Sequence, residues 1–218
     1  MKKLDTRKMV LLAMLSAIAY LVVCLPHIPV VLFLSYEPKD VIITIGGFLL
    51  GPMEAFLCSL VVSLVEMVTI STTGIIGCIM NILSTCAFAC TAAAIYKKRH
   101  DLLGAILGLA AGTVAMVCAM LLWNWLITPL YMGQPREAIE ALLLPAFLPF
   151  NLLKAGFNTA LTLILYKPLS GALRHTGLIS SVRSAEEHKP QPKIGVYIIG
   201  AVLLVTCVLL LLVLQGKL

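Results

Sequence analysis

The sequence predicts an all-α integral membrane protein, and three observations carry that prediction. Hydrophobic residues make up 61% of the 218 and charged residues only 12%, with a mean hydropathy of +1.04. Soluble domains are about half apolar and a quarter charged. Seven apolar stretches, at 9–25, 41–51, 55–71, 75–96, 103–130, 142–166 and 195–215, reach or approach the roughly 20 residues that cross a bilayer as a helix. The basic residues gather in the connections between them.

The first stretch follows Lys2, Lys3, Arg7 and Lys8, as the apolar core of a signal peptide would. Leu21-Val22-Val23-Cys24 lacks the small residue that precedes a lipoprotein cleavage site, which favours a retained helix. Within it Ala13 and Ala17 stand four apart, a small-xxx-small pair that lets another helix approach; such pairs are common by chance. The segment Phe33-Leu34-Ser35-Tyr36-Glu37-Pro38-Lys39-Asp40 then mixes aromatic, acidic and turn-forming residues. It reads either as a lid over an outward-facing pocket or as a re-entry loop in which Pro38 sets a turn and Asp40 caps the next helix.

The second stretch is short and interrupted by Gly46-Gly47. In the third, Ser59, Ser63 and Glu66 share one helical face. Glu66 either pairs with Lys154, since opposite charges in a low-dielectric bundle attract strongly, or lies near the outer end of its helix. The fourth carries Asn81 after Gly74 and Gly77, and the fifth carries Asn124 between Trp123 and Trp125, closing on Thr128-Pro129-Leu130-Tyr131. A buried amide needs a neighbouring helix or a polar ligand as partner. The aromatic flanks of Asn124 suit a planar ligand, whereas Tyr131 reads better as an interfacial anchor.

The sixth stretch holds the residue that most invites a function. Pro149-Phe150-Asn151-Leu152-Leu153-Lys154 places a lysine inside an apolar span, and Asn151, Lys154 and Asn158 fall on one helical face. Ionisable groups at membrane depth usually mark a ligand path. The seventh stretch follows a polar linker at about 167–194.

Charge placement orients the chain. Lys97, Lys98 and Arg99 follow the fourth stretch, and Lys167, Arg174, Arg183, Lys189 and Lys193 follow the sixth. By the positive-inside rule these and the N-terminal cluster are cytoplasmic, so the +6 net charge reads as a topogenic signal and not as a nucleic-acid surface. The seven cysteines fall almost entirely in apolar stretches without a CxxC pair, which indicates neither a disulfide framework nor a metal site. The four histidines are scattered over connections. No P-loop, HExxH or GxSxG occurs. The expectation is a non-enzymatic chain without a cofactor, which binds or moves a ligand and takes its energy from elsewhere.

From about Arg7 to Lys167 the chain resembles the riboflavin-specific substrate-binding subunits, or S components, of energy-coupling factor (ECF) vitamin transporters. The resemblance rests on Ala13-Met14-Leu15-Ser16-Ala17-Ile18-Ala19, Gly47-Phe48-Leu49-Leu50-Gly51-Pro52, Asn81-Ile82-Leu83, Asn124 ahead of Pro129-Leu130-Tyr131, and Pro149-Phe150-Asn151-Leu152-Leu153-Lys154; the last two are the specific ones. It implies a six-helix bundle that captures riboflavin from outside, docked on a transmembrane coupling subunit with two cytoplasmic ATPases. It maps flavin contacts onto Asn151, Lys154 and Asn124, docking onto Ala13 and Ala17, and a covering loop onto about Leu34 through Asp40. With the residue-level reading, the expected substrate site comprises Asn151, Lys154, Asn124, Asn81, Tyr36, Glu37, Asp40 and Glu66. Two departures stand out: Glu66-Met67-Val68 in the third stretch, where relatives often carry basic residues or asparagine, and the seventh stretch, since S components usually have six helices. The expected division is a binding domain at 1–170, a cytoplasmic linker at 171–194 and an additional transmembrane helix at 195–218. An S component for another planar vitamin, and a structural membrane protein or small membrane enzyme, are the alternatives.

Overall fold

The computed structural model describes residues 6–24, 28–31, 34–175 and 194–214. Helix α1 (Thr6–Val23) leads into a two-stranded antiparallel hairpin, β1 (Ile28–Val31) and β2 (Leu34–Tyr36). Then follow α2 (Lys39–Leu50), α3 (Pro52–Thr69), α4 (Gly74–Thr85), α5 (Thr91–Lys98), α6 (Leu102–Leu126), α7 (Thr128–Met132), α8 (Arg136–Leu142), α9 (Leu148–His175) and α10 (Ile194–Leu214). Wider π-helical turns, Cys86–Cys90 and Leu143–Phe147, join α4 to α5 and α8 to α9 as continuous rods. The fold is therefore the expected all-α bundle, with a short hairpin at one end. The expected linker falls mostly at 176–193, outside the described residues.

Among the described residues six helices are long and apolar enough to cross a bilayer. Helix α2 is not among them: its 12 residues rise about 18 Å against a hydrocarbon core of about 30 Å. The second predicted stretch is thus a short descending helix. It begins deep in the protein, where Lys39 and Asp40 are 1% and 0% exposed, and ends at Gly51. Gly51 has φ +126°, a conformation open to glycine, and Pro52 follows as the first residue of α3, its preferred helical position.

Close helix packing comes from small residues. A Cβ at Gly108 or Gly112 of α6 would lie 2.7 Å and 2.6 Å from the carbonyl oxygens of Ala92 and Phe88, so the α4–α5 rod and α6 touch backbone to backbone. A Cβ at Gly47 would lie 3.0 Å from the Cβ atoms of both Ala55 and Ala93, so this glycine lets α2 sit close between them. The α8–α9 rod widens where Pro149 lacks the N–H for a regular helical bond and its ring crowds the preceding turn.

Six rods, α1, α2, α3, α4–α5, α6 and α8–α9, make the bundle, and α10 lies along α9. Gly200 sits against Ala160 and Ile164, and Cys207 against Gly156. Cys207 also joins the buried cluster of Val30, Tyr36, Phe150, Leu153 and Phe157, so α10 packs on the bundle behind the hairpin. Lys8 lies 4.0 Å from Glu54 of α3, and Lys97 stands near Gly51, so these basic groups share one end of the molecule. The hairpin, the turn after α3 and helix α7 form the other.

Candidate functional site

A cavity of about 800 Å³ opens toward the hairpin end, between the hairpin-side halves of α3, α4, α6 and the α8–α9 rod. That volume falls within the range of about 300–1,000 Å³ typical of small-molecule sites. Asn81, Asn124, Asn151, Lys154, Glu37 and Glu66 all line it. Residues on four helices and one loop, spread over more than a hundred positions of sequence, thus meet at one wall.

The carboxamides are fixed in orientation. Asn124 donates to the Met120 carbonyl at 2.8 Å and accepts from the Thr128 hydroxyl at 2.9 Å. Asn151 donates to the Phe147 carbonyl at 2.8 Å, at the end of the proline-widened turn. Asn81 donates to Glu66 Oε1 at 2.8 Å. Each side-chain amide carries two N–H donors and a two-lone-pair acceptor, so each keeps one donor and some acceptor capacity for a ligand. Trp123, Tyr131 and Phe150 add aromatic surface. Trp125 does not contribute: it turns outward, donating to Glu140 at 2.8 Å with Arg136 over its ring.

The charge partner of Lys154 is Asp40, at 3.4 Å, with the Ser84 hydroxyl also at 3.4 Å. Of the two readings of Glu66, the pairing with Lys154 is therefore not the one formed. Glu66 instead holds Lys39, which also bonds Glu37 at 2.8 Å. The reading of Glu66 as near the outer end of its helix is the better one, since α3 ends three residues later, although Glu66 is buried. Asp40 is held on both oxygens: Thr85 donates to one at 2.6 Å, and Asn158 at 3.2 Å and Lys154 share the other.

Two of the expected site residues lie one layer back. Tyr36 and Asp40 are fully buried and do not line the cavity. Tyr36 donates to Asn158 Oδ1 at 3.0 Å and stacks near Phe157 with ring centroids 5.1 Å apart, so it braces the Asn158–Asp40–Lys154 chain. Nor is Asp40 a helix cap: it is the second residue of α2, and no side-chain cap bond forms there. Lys39, Ser84 and Thr85 belong to the network without having been singled out. The signal that could have found Lys39 is its adjacency to Asp40 and Glu37 in a segment entering an apolar stretch. Ala13 and Ala17 are exposed on α1, while Leu11, Leu15 and Ala19 turn inward.

A bundle of short and long membrane rods around a cavity lined by amides and one lysine is the architecture of a membrane solute-binding subunit. Residues 7–166 match the model of the family described as ECF transporter, substrate-specific component, and the chain belongs to that family. It is 26% identical over 180 residues to the riboflavin transporter RibU of Staphylococcus aureus, covering 78% of this chain and 94% of that protein. It is 26% identical over 164 residues to the riboflavin transporter FmnP of Bacillus subtilis, covering 69% and 85%. A solved S component of a bacterial ECF transporter superposes with a TM-score of 0.65 at 26% identity, covering 78% of this chain and 98% of that one. The family match ends at 166, so α10 lies beyond it.

Proposed function

We propose that this chain is the riboflavin-binding subunit of an ECF transporter, capturing the vitamin from outside and delivering it inward when docked on a coupling subunit driven by two cytoplasmic ATPases. The observation that carries the reading is the convergence of the amides of Asn81, Asn124 and Asn151 with the Lys154 ammonium on one cavity beside Trp123. The pyrimidine edge of an isoalloxazine presents an N–H flanked by carbonyl and ring-nitrogen acceptors, which carboxamides and an ammonium complement. The flat ring offers a face to aromatic side chains. Asp40 balances the lysine from behind, so a neutral ligand needs no charge of its own.

Tyr36 and Asp40 serve as bracing groups, Glu37 and Glu66 as the acidic part of the wall, and Ala13 and Ala17 as the contact face for the coupling subunit. The N terminus lies in the cytoplasm, in accord with the clustering of Lys8 and Lys97 at the end away from the cavity mouth. Residues 1–170 serve as the binding domain and 195–218 as an added membrane segment, whose described helix, α10, packs along α9.

Protein purified in detergent should carry or take up riboflavin, seen as flavin absorbance and quenched fluorescence that survive washing. Colourless protein that also leaves micromolar riboflavin unquenched overturns the reading.

A further inference from the structure

Helix α10 lies beyond the part of the chain shared with the family, yet it is seated on the bundle. A Cβ at Gly156 of α9 would lie 2.6 Å from Cys207 Sγ, and one at Gly200 of α10 would lie 2.9 Å from Ile164 Cγ1 and 3.3 Å from the Ala160 carbonyl oxygen. Glycines on both partners thus let the two helices run antiparallel at close range. Such packing is what holds helices together in lipid, where burial against a neighbour brings no hydrophobic gain. Leu204, Cys207 and Leu211 fall on one face of α10. That face covers Val30 and Tyr36 of the hairpin together with Phe150, Leu153 and Phe157 of α9.

The covered cluster is the back of the cavity wall. Phe150 belongs to it and also lines the cavity, as does Lys154 a turn further on. Tyr36 ends β2; its hydroxyl donates to Asn158, which donates to Asp40, which holds Lys154. Glu37, the next residue, lines the cavity. Moving the hairpin away from the site therefore means pulling the buried Tyr36 ring out of the cluster that α9 and α10 share.

We infer that α10 is a positioning element of the binding site: its face of Leu204, Cys207 and Leu211 holds the hairpin and the back of α9 in place and so slows escape of the bound ligand. None of its described residues lines the cavity, so it acts through the hairpin and α9. Lipid chains could cover the same apolar surface, but only as a fluid. A helix locked by glycine contacts suppresses the local openings by which a short hairpin frays, and differences in affinity among related sites reside mostly in the dissociation rate.

The inference rests on the proposed riboflavin site, and one measurement with ligand and one without separate the two. In full-length protein in detergent, the inner pair Leu204→Ala with Leu211→Ala is compared with Leu209→Ala with Leu210→Ala, which removes the same atoms from exposed positions of the same helix. Without ligand, hydrogen exchange of the β1 and β2 amides should quicken by about threefold or more in the inner pair alone. Riboflavin dissociation, followed as recovery of flavin fluorescence on dilution, should quicken by a similar factor, with the association rate little changed. Cys207→Ala makes the same comparison with a smaller loss of packing. Tyr36→Phe should also shorten retention, and combining it with the inner pair should cost less than the two effects added, since both act through one hairpin contact. Equal behaviour of the inner and exposed pairs overturns the inference, as does faster hairpin exchange without faster dissociation. Unaltered protein that binds no riboflavin overturns the function and the claim of ligand retention with it, whereas hairpin exchange still reports whether α10 braces the hairpin.

Discussion

Removing the carboxylate of Asp40 tests the site's central ion pair. Asp40 is 0% exposed, and Asp40→Ala leaves the Lys154 ammonium, the Asn158 amide and the Thr85 hydroxyl without their acceptor. Breaking one side of a buried pair costs about 3–5 kcal/mol, because a charge stays buried uncompensated. At about 2–4 °C per kcal/mol for a chain of this size, the melting temperature should fall by roughly 6–20 °C. Lys154→Met should fall by a similar amount, stranding Asp40. Asp40→Asn combined with Lys154→Met removes both charges and keeps the shape, so it should recover most of the loss. The readout is thermal unfolding of detergent-solubilised protein followed by size-exclusion of a fluorescent fusion. Glu66→Gln serves as contrast: its partner is Lys39, so Lys154→Met should not rescue it. Losses in the Asp40 and Lys154 single variants that simply add in the double variant would refute the pairing. Rescue of Glu66→Gln by Lys154→Met would point to a Lys154–Glu66 pair instead.

Other outcomes follow from the same geometry. Asn124→Ala and Asn151→Ala should each weaken riboflavin binding at least several-fold, since each strands polar groups of the ligand, at about 1–3 kcal/mol apiece; isothermal titration reads this directly, and unchanged affinity in both variants moves the site elsewhere. Ala13→Trp or Ala17→Trp, on an exposed face, should spare binding by the isolated chain but reduce riboflavin uptake in cells that contain the energising subunits. Unaffected uptake would remove the docking assignment. Gly112→Val should disrupt the backbone contact with Phe88, lowering thermal stability and expression, whereas Gly171→Val, where a Cβ meets nothing within 4 Å, should disturb packing far less. Gly156→Leu should push Cys207 away; because Cys207 packs with Tyr36 and Phe157, the variant should lose melting temperature, and no change would mean that α10 is not seated on the bundle.

Much of the site was legible along the chain. Asn151, Lys154 and Asn158 are polar residues at helical spacing in an apolar run, and the cost of burying polar groups makes such residues conspicuous. Asn81 and Asn124 stood out for the same reason. Lys39 did not, because at the edge of a predicted loop a lysine is ordinarily solvated. Its burial depends on α2 being short and starting inside the protein, and nothing local in the sequence fixes that depth.

The sequence by itself determined the membrane class, the apolar stretches and the family, because hydropathy, charge bias and motif order are properties of consecutive residues. It also determined which polar groups are costly enough to need partners. Only the tertiary structure decided how the charges pair. Lys154 had two acids within plausible reach, and the choice of Asp40 follows from where α2 and α3 sit against α9. Pairing energy depends on distances of a few ångströms, and those are set by glycine contacts, two widened turns and the short span of α2. The same arrangement placed Tyr36 and Asp40 behind the wall, leaving the amides and Lys154 to face the cavity.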